Sequence, residues 1–339
     1  MFILMWSEFT KNNMEKLRNH IEYKNQNKIE AYNFIINEMK KEKIIIKNMD
    51  DIIYSITDIK ISKKIISELT TSMFVYTDGV TKNLDNLECE VKINFDLPEY
   101  NNNIYLKCKK NKLNFFKKRL SVFLKMIIYL KGDIKKNNIT LYLILTDLKK
   151  KCNINEDIGA KNVNSGYTDV YKNIIFIWRE EEFEKVSFHE LIHFFDKDHR
   201  NEKYTLNLKQ NIDDNIKRFY ESLTDCKAIY YNIIYISILT HKSIGSILKY
   251  ELLFINNQAV YIQNLLTFKI KQLSSVYSYY ILKALIFNYL MHISLFEFNN
   301  VFVKNKCGSE LLTKIYNKRI PMKTYIDFNS SRMSFFELE

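Results

Sequence analysis

The spacing of hydrophobic and polar positions changes several times along the chain. Apolar residues recur at helical spacing through 1–45 and again through 57–73. The period then drops to two in 89–95 and 104–108, which is typical of half-buried strands. This part of the chain is therefore predicted to form helices followed by two strands.

The middle of the chain predicts alternating helices and strands. Residues 112–131 have an amphipathic helical pattern that ends at Gly132, and 139–145 is a nearly continuous apolar run, as in a buried strand. Residues 162–169 predict an irregular or edge strand, and 173–178 a strand that follows it. A helix is predicted to begin after the acidic run 180–182, because acidic side chains favour the positive end of a helix.

From about residue 212 onwards the pattern is helical, with long helices expected at 212–238, 243–268 and 274–297. The sequence thus predicts an α+β fold in which a mixed sheet is followed by a mostly helical C-terminal part. Three regions are expected: a helical and mixed region of unassigned role at 1–100, an α+β region at 101–200, and a mostly helical region at 201–339.

Composition limits the class of protein. The chain has 339 residues, 47% of them hydrophobic, which is enough to build a large core and excludes a disordered protein. The formal charge is +12, but Lys is accompanied by many Ile, Asn, Tyr and Phe residues and only 6 Gly. That set is typical of A/T-rich codons, so the charge is weak support for a nucleic-acid partner.

Targeting signals and cysteines favour a cytoplasmic protein. No sufficiently long apolar stretch is free of charges, so no membrane span is expected. The first six residues are apolar but lack a basic region before them, which does not match a signal peptide. The 5 cysteines are widely spaced and form no CxxC motif, so they predict reduced thiols rather than disulfides.

The predicted helix after 180–182 contains the motif HExxH, formed by His189, Glu190 and His193. On a helix the two histidines lie one turn apart on the same face, so both imidazoles can bind one Zn²⁺ ion. Glu190 can act as general base for a metal-bound water. The alternative is an incidental match on an ordinary surface helix.

A third ligand has two candidates. Glu221 and Asp225 share a helix face, so Glu221 can bind zinc while Asp225 accepts the free ring N–H of a zinc-bound histidine. The alternative for this pair is a solvated acidic face. The second candidate is His199, whose alternative is an exposed histidine at a helix end. We favour Glu221.

With HExxH followed by ExxxD, the chain resembles the zincin metallopeptidases, and among them the thermolysin-like gluzincins. The resemblance implies a zincin-like fold, zinc held by His189, His193 and Glu221, and a protein or peptide substrate. It also implies a cleft strand shortly before the motif helix, a role for which 162–169 is placed. The chain departs from many gluzincins at Tyr220, where they have Asn.

Two neighbouring comparisons refine this resemblance. His199 matches the histidine spacing of the metzincins, but Asp196 stands where they have a glycine turn, and the next methionine is as distant as Met291. The segment 162–193 is similar to metallopeptidases encoded by large DNA viruses, which agrees with the A/T-rich composition and implies the host cytoplasm or the virion.

Substrate contacts are expected at two further places. A gluzincin uses a Tyr or His to stabilise the oxyanion, and the candidates are Tyr279, Tyr280, His241 and His292, of which Tyr280 is preferred. The turn Asn164-Ser165-Gly166 can present its backbone to an extended substrate. The alternative for that turn is a simple hairpin connection.

The leading expectation is a zinc endopeptidase in which Glu190 activates water. The intact Glu190 argues against an inactive relative. One alternative is a catalytically silent zincin-fold interaction protein. The other is a basic nucleic-acid-associated protein with an incidental motif, although its lysine runs at 107–112 and 149–151 are scattered over different predicted elements and no binding motif accompanies them. The oligomeric state is left open.

Overall fold

The structure, a computed structural model, describes residues 6–22, 33–97, 100–134, 138–152, 156–195, 218–266, 274–290, and parts of 293–338 that include all of 331–338. Two N-terminal helices are present as predicted, α1 at Glu8–Glu22 and α2 at Asn33–Asn48. Among the described residues, no helix is both long enough and apolar enough to cross a bilayer.

The predicted helix at 57–73 is only partly correct. Tyr54–Asp58 forms an edge strand, β1, in which Ile56 pairs with Ile93. Helix α3 begins only at Lys63 and ends at Thr71, and the Ser62 hydroxyl accepts the N–H of Ile65 at its start. Pairing with a neighbouring strand therefore overrides the local helical pattern. A short helix, α4 at Thr77–Asn83, follows.

A mixed six-stranded sheet lies at the centre of the fold. Its remaining strands are β2 (Cys89–Leu97), β3 (Tyr100–Cys108), β4 (Thr140–Thr146), β5 (Gly166–Asp169) and β6 (Ile174–Arg179). The strand order is β1-β2-β3-β4-β6-β5. Strands β3, β4 and β6 are parallel, whereas β1, β2 and β5 run antiparallel to their neighbours. The predicted strand at 162–169 is therefore an edge strand, preceded by a short helix, α6 (Ala160–Val163).

The predicted helix at 112–131 is present as α5 (Lys110–Lys131), and it ends at Gly132, whose φ of 54° suits glycine.

The helical C-terminal part is also confirmed. Helix α7 (Phe183–Phe194) carries the HExxH motif, and α8 (Phe219–Thr240) and α9 (Ile244–Leu266) follow. A π-helical turn at Ser278–Leu282 continues into α10 (Lys283–Leu290). The predicted helix start at 212–217 lies outside the described residues.

The motif helix α7 lies between two layers. It packs against β5 and β6 on one side and against α8 on the other, and all 12 of its residues are buried. A helix that is buried on every side has no solvent-exposed face, so its sequence lacks the regular amphipathic pattern of a surface helix. The described C-terminal segment 331–338 contacts the residue before this helix, since the N–H of Met333 donates to Glu182, and Leu338 of the same segment pairs with Trp6. The boundaries predicted at residues 100 and 200 stay predictions.

Candidate metal centre

Helix α7 places two imidazoles together. His189 and His193 lie one turn apart, and their Nε2 atoms are 3.0 Å from each other. Both side chains are almost completely buried, at 6% and 8% exposure, yet both line the same cleft. The residual exposure is therefore on the side where a ligand can approach.

Glu221 joins the two histidines from the first turn of α8. Its Oε2 atom lies 3.3 Å from Nε2 of His193 and 3.4 Å from Nε2 of His189. Burial by itself raises the pKa of Glu221, but the adjacent His193 and His189 lower it more, and the net pKa is well below the usual range. The side chain is thus a carboxylate, as a metal ligand must be.

The three side chains fit a zinc ion. Ligand atoms bonded tetrahedrally to zinc at 2.0–2.1 Å lie about 3.3 Å from one another. The separations of 3.0, 3.3 and 3.4 Å between the three donor atoms are close to that value. Three lone-pair donors that converge in this way repel one another unless a cation or a proton lies between them. Two histidines and a glutamate are a known donor set for catalytic zinc.

Asp225 fixes the orientation of His189. Its Oδ1 atom lies 3.1 Å from Nδ1 of His189. Because a carboxylate only accepts hydrogen bonds, Nδ1 carries the proton and the lone pair of Nε2 points into the centre. The structure thus places Asp225 against a motif histidine, and its role behind a zinc-bound histidine stays a prediction.

Two buried lysines form ion pairs with Asp225, and the sequence analysis predicted neither of them. Lys185 contacts Oδ1, and Nζ of Lys283 lies 2.8 Å from Oδ2. Burial raises the pKa of Asp225, but the two lysines outweigh burial and keep it well below the usual range. Lys185 lies four residues before His189, so its helical spacing is a signal that places it on the ligand face.

Glu190 is oriented by the edge strand. The Thr168 hydroxyl lies 2.8 Å from Oε2 of Glu190 and 3.0 Å from its backbone oxygen. The strand approaches the helix closely because Gly166 has no side chain: a Cβ there would lie 3.0 Å from Cγ of Glu190 and 2.9 Å from Cγ1 of Val186. Thr168 is a further residue that sequence reasoning missed.

These residues line one cleft of about 420 Å³. Asn164, Ser165 and Gly166 all line it, and their role in substrate binding stays a prediction. The alternative of a hairpin connection is wrong, because this turn joins α6 to β5, and the hairpin of the edge strand lies further on, between β5 and β6. The Asn164 side chain donates to the backbone oxygen of Phe74 at 3.2 Å and accepts from Ser274 at 2.9 Å.

The preferred oxyanion residue, Tyr280, lies outside the cleft. Its hydroxyl donates to the backbone oxygen of Ser331, and its ring packs in a separate buried cluster. The neighbouring Tyr279 lines the cleft instead, with its hydroxyl 3.4 Å from Oε2 of Glu221. Successive residues of a helical turn point in different directions, and here only Tyr279 points to the centre.

His241 is the further histidine candidate whose position the structure describes, and it lies far from the centre. His241 is exposed at the far end of α8, 20 residues from Glu221, which corresponds to about 30 Å along a helix. His199 and His292 lie outside the described residues. His189, His193 and Glu221 are accordingly the group that the described structure offers to a metal ion.

Comparison with models of protein families, with curated proteins and with solved structures finds no match for this chain.

Proposed function

We propose that the protein is a zinc-dependent metallopeptidase with a zincin-like arrangement of its catalytic elements. The observation that carries this proposal is the convergence of His189, His193 and Glu221 beside Glu190, whose carboxylate is held by Thr168. An antiparallel edge strand directly beside the motif helix also supports it.

Each side chain has a defined part in hydrolysis. Zinc held by His189, His193 and Glu221 would supply a Lewis acid to water and to a peptide carbonyl. Glu190 takes a proton from the attacking water and passes it to the departing amine. The Tyr279 hydroxyl lines the cleft 3.4 Å from Oε2 of Glu221 and can donate a hydrogen bond to the developing oxyanion.

The edge strand β5 is suited to bind the substrate backbone. Among the described strands β5 pairs only with β6, so the backbone groups of its other edge, next to the cleft, have no strand partner there. An extended peptide can add to such an edge as a further strand. The free and buried thiols of Cys108, Cys152 and Cys226 favour a reducing compartment such as the cytoplasm for this activity.

The two alternative functions have less support. A silent scaffold has no need of a carboxylate oriented by Thr168 beside the three ligand atoms. A nucleic-acid interface needs lysines whose charge is free, yet Lys107 and Lys112 lie 2.6 and 2.8 Å from Glu90 and Glu180.

Metal analysis of purified variants tests the proposal. After dialysis against a weak chelator, we expect about one zinc per chain in the wild type and in Glu190→Gln, and none in Glu221→Ala. Peptidase activity should fall about 10²- to 10⁴-fold in Glu190→Gln, the usual contribution of a general base.

Glu156→Gln, which changes an exposed carboxylate outside the cleft, is the matched control and should keep both zinc and activity. A wild type without zinc, or a Glu221→Ala protein that retains it, would contradict the proposal.

A further inference from the structure

The cations of the cleft differ in how their charges are matched. Lys150 and Lys185 are buried, and each forms an ion pair, Lys150 with Glu182 at 2.8 Å and Lys185 with Asp225. Arg218 is exposed, and its hydrogen bond goes to a neutral group, the Ser275 hydroxyl at 3.0 Å. Of the described residues that line the cleft, Arg218 is thus the cation without a carboxylate partner.

Arg218 lies close to the metal centre. It immediately precedes α8, and its backbone oxygen accepts the N–H of Glu221 at 3.0 Å. Side chains three residues apart on a helical turn have Cβ atoms about 5–6 Å from each other. One residue of an extended peptide spans about 3.3–3.6 Å, so a position this far from Glu221 corresponds to one or two substrate residues along the cleft.

Among the described residues, the Arg218 guanidinium hydrogen-bonds only to Ser275, so its other donors are available to a ligand. Ser275 is 7% exposed and anchors Nη1, and the adjacent Ser274 is tied to Asn164 in the turn before β5. A guanidinium has five N–H donors in a rigid fork, which matches the two oxygens of a carboxylate. Its free donors face a cleft whose other described cations are already paired.

We propose that Arg218 binds a carboxylate of the substrate within two residues of the scissile bond. This inference rests on the proposed peptidase function. The carboxylate comes either from an Asp or Glu side chain or from a free C-terminus, because both present the same pair of oxygens to the guanidinium. The second source would make the enzyme a carboxypeptidase.

A binding experiment tests this without requiring turnover. Three fluorescent peptides of one sequence are titrated into zinc-loaded Glu190→Gln protein: one with Asp and a C-terminal amide, one with Asn and a free C-terminus, and one with Asn and an amide. We expect one of the two carboxylates to tighten binding about 10- to 100-fold over the neutral peptide, as a hydrogen-bonded charge pair does.

Adding Arg218→Gln should abolish that difference, and Arg218→Lys should restore only part of it, since lysine cannot bind in a bidentate manner. Adding Lys117→Gln, which removes an exposed lysine on α5, should leave the difference intact. Tighter binding of the Asp peptide identifies a side-chain carboxylate, and tighter binding of the free C-terminus identifies a terminal one. Equal affinities for all three peptides, or a preference that survives Arg218→Gln, would overturn the inference.

Hydrolysis by the wild type is then measured on the same peptides, with Glu190→Gln as background. A charge-dependent affinity without any hydrolysis would contradict the proposed function but support the role of Arg218. Hydrolysis of all three peptides at equal kcat/KM would support the function and overturn the role of Arg218.

Discussion

Two groups of buried polar residues lie along α7, one around its start and one on the side that faces the cleft. They differ in whether each charge has an oppositely charged partner. At the start, Lys150 lies 2.8 Å from Glu182, and Arg332 lies 2.7 Å from Glu337. Each charge there has an opposite partner within the protein. Along the cleft, by contrast, Nε2 of His189, Nε2 of His193 and Oε2 of Glu221 lie within 3.4 Å of one another.

This difference separates a structural cluster from a binding site. Glu182 accepts hydrogen bonds from the backbone N–H groups of Met333 and Ser334, so it ties the C-terminal segment to the start of the motif helix. It does so from a left-handed conformation with φ of 60°, which is uncommon for a residue with a side chain and costs free energy. The three convergent atoms in the cleft are instead a group that could hold a metal ion.

The acidic run before α7 has a different role from the one that the sequence suggests. Glu182 is the residue at the N-terminus of the helix, but its carboxylate forms no cap. It reaches Lys150 and the C-terminal segment instead, where it forms a buried ion pair and accepts hydrogen bonds.

The largest expected effect is a loss of unfolding free energy that leaves metal binding unchanged. Glu182→Gln should lower the free energy of unfolding by about 3–5 kcal/mol, because it leaves Lys150 buried without its partner. The zinc content of the folded Glu182→Gln protein should not change.

Glu221→Ala should show the reverse pattern. It should lose zinc, while the free energy of unfolding of the metal-free protein in urea should change by no more than about 1 kcal/mol. A Glu182→Gln protein that is folded but free of zinc would show that the two clusters act as one.

The next effect concerns the support behind His189. Asp225→Asn should weaken zinc binding about 10- to 100-fold, because the imidazole loses an anionic acceptor. Competition with a chromogenic chelator measures this affinity. Lys283→Met is the comparison variant: it leaves Asp225 with Lys185 and His189, so its loss of affinity should be smaller. Equal affinities for wild type and Asp225→Asn would exclude this role for Asp225.

A smaller effect is expected from the strand that orients the base. Thr168→Val should lower kcat about 10-fold, which corresponds to about 1.4 kcal/mol and to one hydrogen bond to a charged group. Zinc content and KM should stay the same, and Thr168→Ser should restore most of kcat. Unchanged kcat in Thr168→Val would show that Glu190 is oriented by other contacts.

The smallest effect is a difference in acid stability. The Lys150, Arg332 and Lys185 charges outweigh burial and lower the pKa of Glu182 to about 2. A carboxyl group whose pKa is lower in the folded state stabilises the protein above its ordinary pKa of about 4.5, and this stabilisation is lost as the pH falls towards 2. The wild type should therefore lose more unfolding free energy between pH 5 and pH 4 than Glu182→Gln. Equal losses would show that Glu182 has the same pKa in both states.

The sequence alone determined the residues that meet on a single helix face. The pairs His189 with His193 and Glu221 with Asp225 are each four residues apart, and helical geometry brings such pairs together whatever surrounds them. The buried strand at 139–145 and the helix that ends at Gly132 were predictable for the same reason, since composition and period act locally.

Only the tertiary structure decided which distant residues complete the site. Lys283 reaches Asp225 from 58 positions further along the chain, and Thr168 reaches Glu190 from another secondary-structure element. The choice of Tyr279 over Tyr280 depends on the rotation of a π-helical turn against α8 and α9, and the strand at Tyr54–Asp58 depends on its partner β2. These outcomes are set by packing between elements, which the period of a single segment does not record.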